Sequence, residues 1–100
     1  MKYVEARERC YELIDVNRGY IEQTKKIYRY ERSPLCTNFI NAVQRYVADT
    51  IYSFVSQLSN RMSAGAPEDD EWVQRNVQRF EEQTVAHGNT LDMLKTLPAW

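Results

Sequence analysis

The chain has little of what organises most non-helical folds. Its 100 residues include three glycines, three prolines, two cysteines and one histidine. So few glycines and prolines exclude collagen-like, linker-like and turn-rich all-β architectures. Cys10 and Cys36 are far apart and form no CxxC pattern, so neither a disulfide framework nor a zinc site is expected. No HxxxH, HExxH or EF-hand spacing occurs, and no glycine-rich phosphate loop. No charge sign dominates: 13 basic and 14 acidic side chains leave a net charge of −1. That removes the prior for nucleic-acid binding that a basic domain carries. No run approaches the roughly 20 apolar residues of a membrane span. The first nine residues are charged and lack an apolar core, so no secretory signal is expected. These absences lead us to expect a cytoplasmic protein with reduced, buried thiols and no metal or cofactor.

What remains is an ordinary globular composition, 43% hydrophobic and 27% charged, enough for one core in a single domain over residues 1–100. Two punctuation points divide it. At the first, Ser33 is placed to cap a helix and Pro34 to occupy its first position. At the second, Gly65 and Pro67 break the pattern, and the acidic run 68–71 suits a helix N-terminus.

Segment one, about residues 2–31, carries Tyr3, Ala6, Cys10, Leu13, Asn17, Tyr20, Thr24 and Ile27 in steps of 3 and 4, a heptad stripe. Ile14, Ile21 and Tyr28 flank it. Gly19 suggests a close helix approach or a slight bend. Segment two, about residues 34–62, is apolar over a wide arc, and between Pro34 and Asn60 its only charges are Arg45 and Asp49. Such a helix is enclosed on most sides. Either it is the centre of a compact bundle or part of it meets another chain. Segment three begins near Asp70, and Val73, Val77, Phe80, Thr84, His87, Leu91 and Leu94 form one stripe. The Gly88-Asn89-Thr90 sequence reads as a stop followed by a start, so a short fourth helix after Gly88 is expected, although an unbroken helix also keeps the phase.

Short connections make neighbouring helices antiparallel. The expected fold is all-α, an elongated antiparallel bundle of three long helices. Folding segment one onto segment two separates Cys10 and Cys36 by about 28 Å of helix rise, too far for a disulfide.

Convergent catalytic groups are scarce. A Cys–His nucleophile pair would need His87 to meet Cys10 or Cys36. Cys10 sits on the stripe as a small hydrophobe. Cys36 occupies a first helical turn, where a thiolate is favoured, but no base adjoins it in sequence. No enzymatic activity is expected. The more informative stretch is residues 25–32, with four basic groups and two tyrosines. It combines cations that complement a helix C-terminus with an aromatic and arginine composition typical of binding hot spots. Residues 1–32 carry +2, residues 33–66 carry +1 and residues 67–100 carry −4, a polarity suited to steering a partner. Seven tyrosines are present, of which Tyr11, Tyr30 and Tyr52 miss the main stripes.

In size, helical character and missing chemistry the chain resembles the small inhibitor proteins of phages and mobile elements, such as anti-CRISPR proteins. Small secretion chaperones share that character. The resemblance implies a non-enzymatic protein that works by occupying a partner's surface, here a bacterial nucleic-acid-handling complex. The expected partner-binding residues are Tyr11, Lys25, Lys26, Arg29, Tyr30 and Arg32, with the acidic run 68–71 second. A homodimer is expected to form through Asn17, Val47, Ile51 and Phe54, because a lone core Asn often sets oligomeric register. The alternative is a small dimeric nucleic-acid-binding protein using the 25–32 end.

Overall fold

The computed structural model describes residues 1–67 and 70–97. Among these the fold is all-α, with no strand. Helix α1 spans Tyr3–Lys25. A 3-10 turn, Tyr30–Arg32, leads into α2, Pro34–Tyr46. A π-helical turn, Val47–Ile51, joins α2 to α3, Tyr52–Ser63, without leaving the right-handed helical region. Helix α4 spans Asp70–Lys95.

The result is three rods in an elongated body of 56 × 17 × 15 Å. Side chains fix their register. Tyr3 donates to the Pro67 carbonyl at 2.7 Å, Arg9 meets Glu81 at 3.0 Å, and Lys95 donates to Gln23 at 3.0 Å. Helices α1 and α4 therefore run parallel. Arg18 reaches Tyr52 at 2.8 Å, and the middle rod returns between them in direction.

Ser33 accepts from the Cys36 amide at 3.3 Å, and Pro34 holds the first helical position, as its missing N–H allows. Helix α1 is shorter than its heptad stripe suggests. It stops at Lys25, and Arg29 takes a left-handed conformation with φ 65°. The stripe continues past that point because Ile27 and Tyr30 fold over the end of the bundle and pack on its core. Their apolar spacing serves a lid over the core rather than a further helical turn.

Helix α4 passes through Gly88 unbroken, so there is no stop and no fourth segment there. The stripe from Val73 to Leu94 stays in phase across the glycine. Gly88 makes room: a Cβ at this position would lie 2.8 Å from the Tyr20 hydroxyl oxygen. Gly19 has nothing within 4 Å of an added Cβ, so it marks no close approach.

The core divides into two clusters. One gathers Cys10, Leu13, Ile14, Val47, Ile51, Phe54, Leu58 and Phe80 with their neighbours. The other gathers Ile21, Cys36, Phe39, Ile40, Val43, Leu91 and Leu94. Each thiol lies in a different cluster, and both are free. Between the clusters along α1 and α4 lies a polar layer of Asn17, Thr84 and His87, all buried.

The π-turn has a sequence cause. In α1 the rows Tyr3–Cys10–Asn17–Thr24 and Ala6–Leu13–Tyr20–Ile27 advance by sevens, and in α4 so does Val73–Phe80–His87–Leu94. The middle rod does not. Its buried row Cys36–Val43–Ile51–Leu58 advances by 7, 8 and 7, and Ile40–Val47–Val55 by 7 and 8. Both rows gain one residue at the same place. A π-turn absorbs that residue, with Tyr52 donating to the Val47 carbonyl five residues back. The rows then stay facing the other two rods on both sides of it.

Candidate interaction surface

The residues expected to bind a partner do not form one patch. Tyr11 is exposed on α1, but about 21 Å of helix rise separates it from Lys25. Lys25 faces a groove between α1 and the middle rod. Lys26 faces a second groove with Gln23, Ile27, Tyr28, Lys95 and Leu97. Arg32 is exposed on the 3-10 turn. The two tyrosines of this stretch exchange the roles their spacing suggests. Tyr30 packs against the second core cluster. Tyr28, in phase with the α1 stripe, is 76% exposed and carries the Arg29 guanidinium 5.1 Å from its ring centroid. The exchange follows from α1 ending at Lys25. Of the acidic run, Glu68 and Asp69 lie outside the described residues, and Glu71 is exposed and paired with Arg75 at 2.7 Å. Residues 98–100 also lie outside them.

The four residues expected at a self-association surface are inside the single chain. Asn17, Val47, Ile51 and Phe54 are buried in its own core. Their apolar or register-setting character is accounted for by intrachain packing. Asn17 does set register, but between α1 and α4: its Nδ2 donates to the Leu13 carbonyl at 2.7 Å and to Thr84 Oγ1 at 2.9 Å. Its Oδ1 lies 2.8 Å from His87 Nδ1. The Thr84 hydroxyl donates in turn to the Phe80 carbonyl at 2.7 Å.

The thiols take no part in this network. Burial pushes the Cys10 thiol up to about 11, far from a reactive thiolate. Neither thiol hydrogen-bonds to His87, whose partners are Asn17 and the edges of Tyr46 and Phe39. Desolvation lowers the His87 pKa. Among the described residues no group of three or more His, Cys, Asp or Glu is placed to hold a metal ion, and no helix is long and apolar enough to cross a membrane.

The surface feature that sequence reading missed is the groove beside the π-turn, of about 530 Å³. Its α1 wall is Arg18, Ile21, Glu22 and Lys25, and its opposite wall is Gln44, Val47, Ala48 and Tyr52. Arg18 donates to the Tyr52 hydroxyl at 2.8 Å, and its guanidinium carbon lies 5.7 Å from that ring's centroid. Lys25 is tied to Glu22 at 3.5 Å. Arg18 has no carboxylate within ion-pair distance among the described residues. Two signals could have located this groove: the eight-residue steps in the middle rod, and Tyr52 lying off the main stripe. No protein-family model, curated protein or solved structure matches the chain.

Proposed function

We propose that the chain is a protein-binding module without catalysis of its own. On this reading it is an elongated bundle of three long helices that acts in the bacterial cytoplasm. It occupies a partner's working surface in the manner of a phage-type, anti-CRISPR-like inhibitor of a nucleic-acid-handling complex. The observation that carries this reading is the pair of Arg–Tyr contacts, Arg18 on Tyr52 and Arg29 on Tyr28, displayed on one elongated body. Each pre-orders a large amphipathic side chain and a guanidinium. Those residue types dominate binding hot spots because they bury area at little cost in rotamer entropy.

A second reading rests on the cations near the α1 C-terminus. Lys26 and Lys95 line a groove with the exposed Tyr28, and the Arg29 guanidinium lies over its ring, a combination that also suits single-stranded nucleic acid.

The test is affinity capture from bacterial lysate, with and without nuclease, using the parent chain, an Arg18→Ala/Tyr52→Ala variant and a Tyr28→Ala/Arg29→Ala variant. A stoichiometric protein that survives nuclease and is lost from either variant supports the module reading. Nucleic acid recovered with the chain, and proteins released by nuclease, support the second. A nuclease-resistant partner held equally by all three chains overturns the assignment of these contacts.

A further inference from the structure

The groove beside the π-turn combines three properties. Its lining is apolar in part, with Ile21 on one wall and Val47 and Ala48 on the other. One wall holds a guanidinium that is oriented by a neutral phenol and neutralised by no carboxylate among the described residues. Its α1 wall runs from Arg18 to Lys25, about 10 Å of helix rise, or two turns of a helix lying alongside. The middle rod flanking it is also unusual as a solvent-facing surface, because Arg45 and Asp49 are its only charges between residues 34 and 60. Its exposed positions include Thr37, Asn41, Ala42, Gln44, Ala48 and Ser56. Small and uncharged residues let another backbone approach closely and desolvate little charge in doing so.

We infer that this groove docks an amphipathic helix of a partner protein, with an aliphatic side chain between Ile21 and the Val47–Ala48 wall and an Asp or Glu on the Arg18 guanidinium. The inference rests on the protein-binding reading above and specifies the chemistry of the partner. Charge decides the occupant. Glu22 is already engaged by Lys25, so the groove's unmatched charge is positive, and a carboxylate satisfies it with a charge-assisted hydrogen bond. Arg18 is pre-positioned by Tyr52, so little side-chain freedom is lost when it pairs. Docking follows the helix-in-groove mode, in which anchors at i and i+3 or i+4 share one face. The π-turn contributes to the wall opposite α1 through Val47 and Ala48, and Ala48 presents only a single methyl group there.

The experiment is selection from a displayed library of random 16-residue peptides against the folded chain. It is followed by affinity measurement on Arg18→Ala, Ala48→Trp and the control Val85→Ala. Circular dichroism melting confirms that each variant is folded. The selected peptides are expected to pair Leu, Ile or Phe with Asp or Glu at helical spacing. They should lose at least tenfold in affinity to both Arg18→Ala and Ala48→Trp, keep their affinity for Val85→Ala, and shift amide resonances of residues 18–25 and 44–52. Peptides without an enriched acidic position, or binding unaffected by both groove variants, overturn the inference. A parent chain that is dimeric by light scattering and becomes monomeric as Ala48→Trp also overturns it, because the occupant is then a second copy. If groove variants still capture the lysate partner, the docking assignment fails while the module reading stands.

Discussion

His87 Nδ1 and Asn17 Oδ1 lie 2.8 Å apart in the layer that separates the two core clusters, and the contact fixes the state of both side chains. Asn17 Nδ2 already donates to the Leu13 carbonyl and Thr84 Oγ1, so its oxygen must accept. The proton therefore sits on Nδ1 of His87, and the neutral ring leaves Nε2 without one. The chain of donors runs His87 to Asn17, Asn17 to Thr84, and Thr84 to the Phe80 carbonyl. It is directional, and only one relative height of α1 and α4 satisfies it.

Protonating this ring disfavours the fold. Desolvation lowers the His87 pKa in the native state, and the residues against the ring are Asn17, Phe39 and Tyr46, none a carboxylate. The unfolded chain binds a proton on His87 at about pH 6.5, more readily than the folded chain. Stability is thus fully present above that value and falls as the pH drops through it toward the native pKa. Urea unfolding between pH 7.5 and 5 is expected to show this loss, and His87→Gln to flatten it. An unchanged slope in His87→Gln contradicts the assignment.

Two mid-helix glycines should respond oppositely to alanine. At Gly19 an added methyl meets nothing within 4 Å, so Gly19→Ala is expected to stabilise by about 0.5–1 kcal/mol through helix propensity. At Gly88 the methyl meets the Tyr20 hydroxyl at 2.8 Å, while Tyr20 packs on the second core cluster. Gly88→Ala should cost about 1 kcal/mol or more despite the same propensity gain. Tyr20→Phe removes the nearest atom and should recover part of that loss. A double-mutant cycle on melting curves reads the coupling, and equal effects at the two glycines contradict it.

Tyr28 and Tyr30 separate binding from stability. Tyr30→Ala uncovers the end of the second core cluster and should lower the melting temperature by several degrees, since about 1 kcal/mol corresponds to roughly 4–8 °C in a domain of this size. Tyr28→Ala removes a ring that is 76% exposed and should leave melting nearly unchanged. The reverse order would place the lid on the wrong tyrosine.

The all-α class, the caps at Ser33 and Pro34, and the buried stripes were legible because apolar periodicity and capping chemistry are local. What failed to transmit was tertiary. The stripe through Ile27 and Tyr30 has helical spacing, yet the chain uses these residues to cover the bundle end. Gly88 carries a stop signal, yet the helix runs through it, and the Tyr20 hydroxyl from another helix lies where its Cβ would crowd it. Asn17 marks a register device, but spacing alone does not say whether the partner helix of that device belongs to another chain or is α4. The groove lies between α1 and the π-turn, so its two walls come from residues far apart in sequence and meet only when the rods are aligned.

That count gives the most direct test of the architecture. The buried row Cys36–Val43–Ile51–Leu58 contains one eight-residue step, and the π-turn at Val47–Ile51 absorbs the extra residue. Asp49 is exposed, lies in the π-turn and is not among the residues lining the groove beside it. Deleting it leaves steps of 7, 7 and 7, which match the rows of α1 and α4 without a π-turn. The shortened chain is expected to fold, to keep its helical circular dichroism, and to melt at or above the parent temperature, because an ordinary α-turn replaces a rarer one. Deleting Ser56 instead removes an exposed residue from within α3, outside the eight-residue step. Leu58, two residues further on, then turns by about 100° away from the core, so this variant should melt far lower. If both deletions destabilise alike, the eight-residue step does not explain the π-turn.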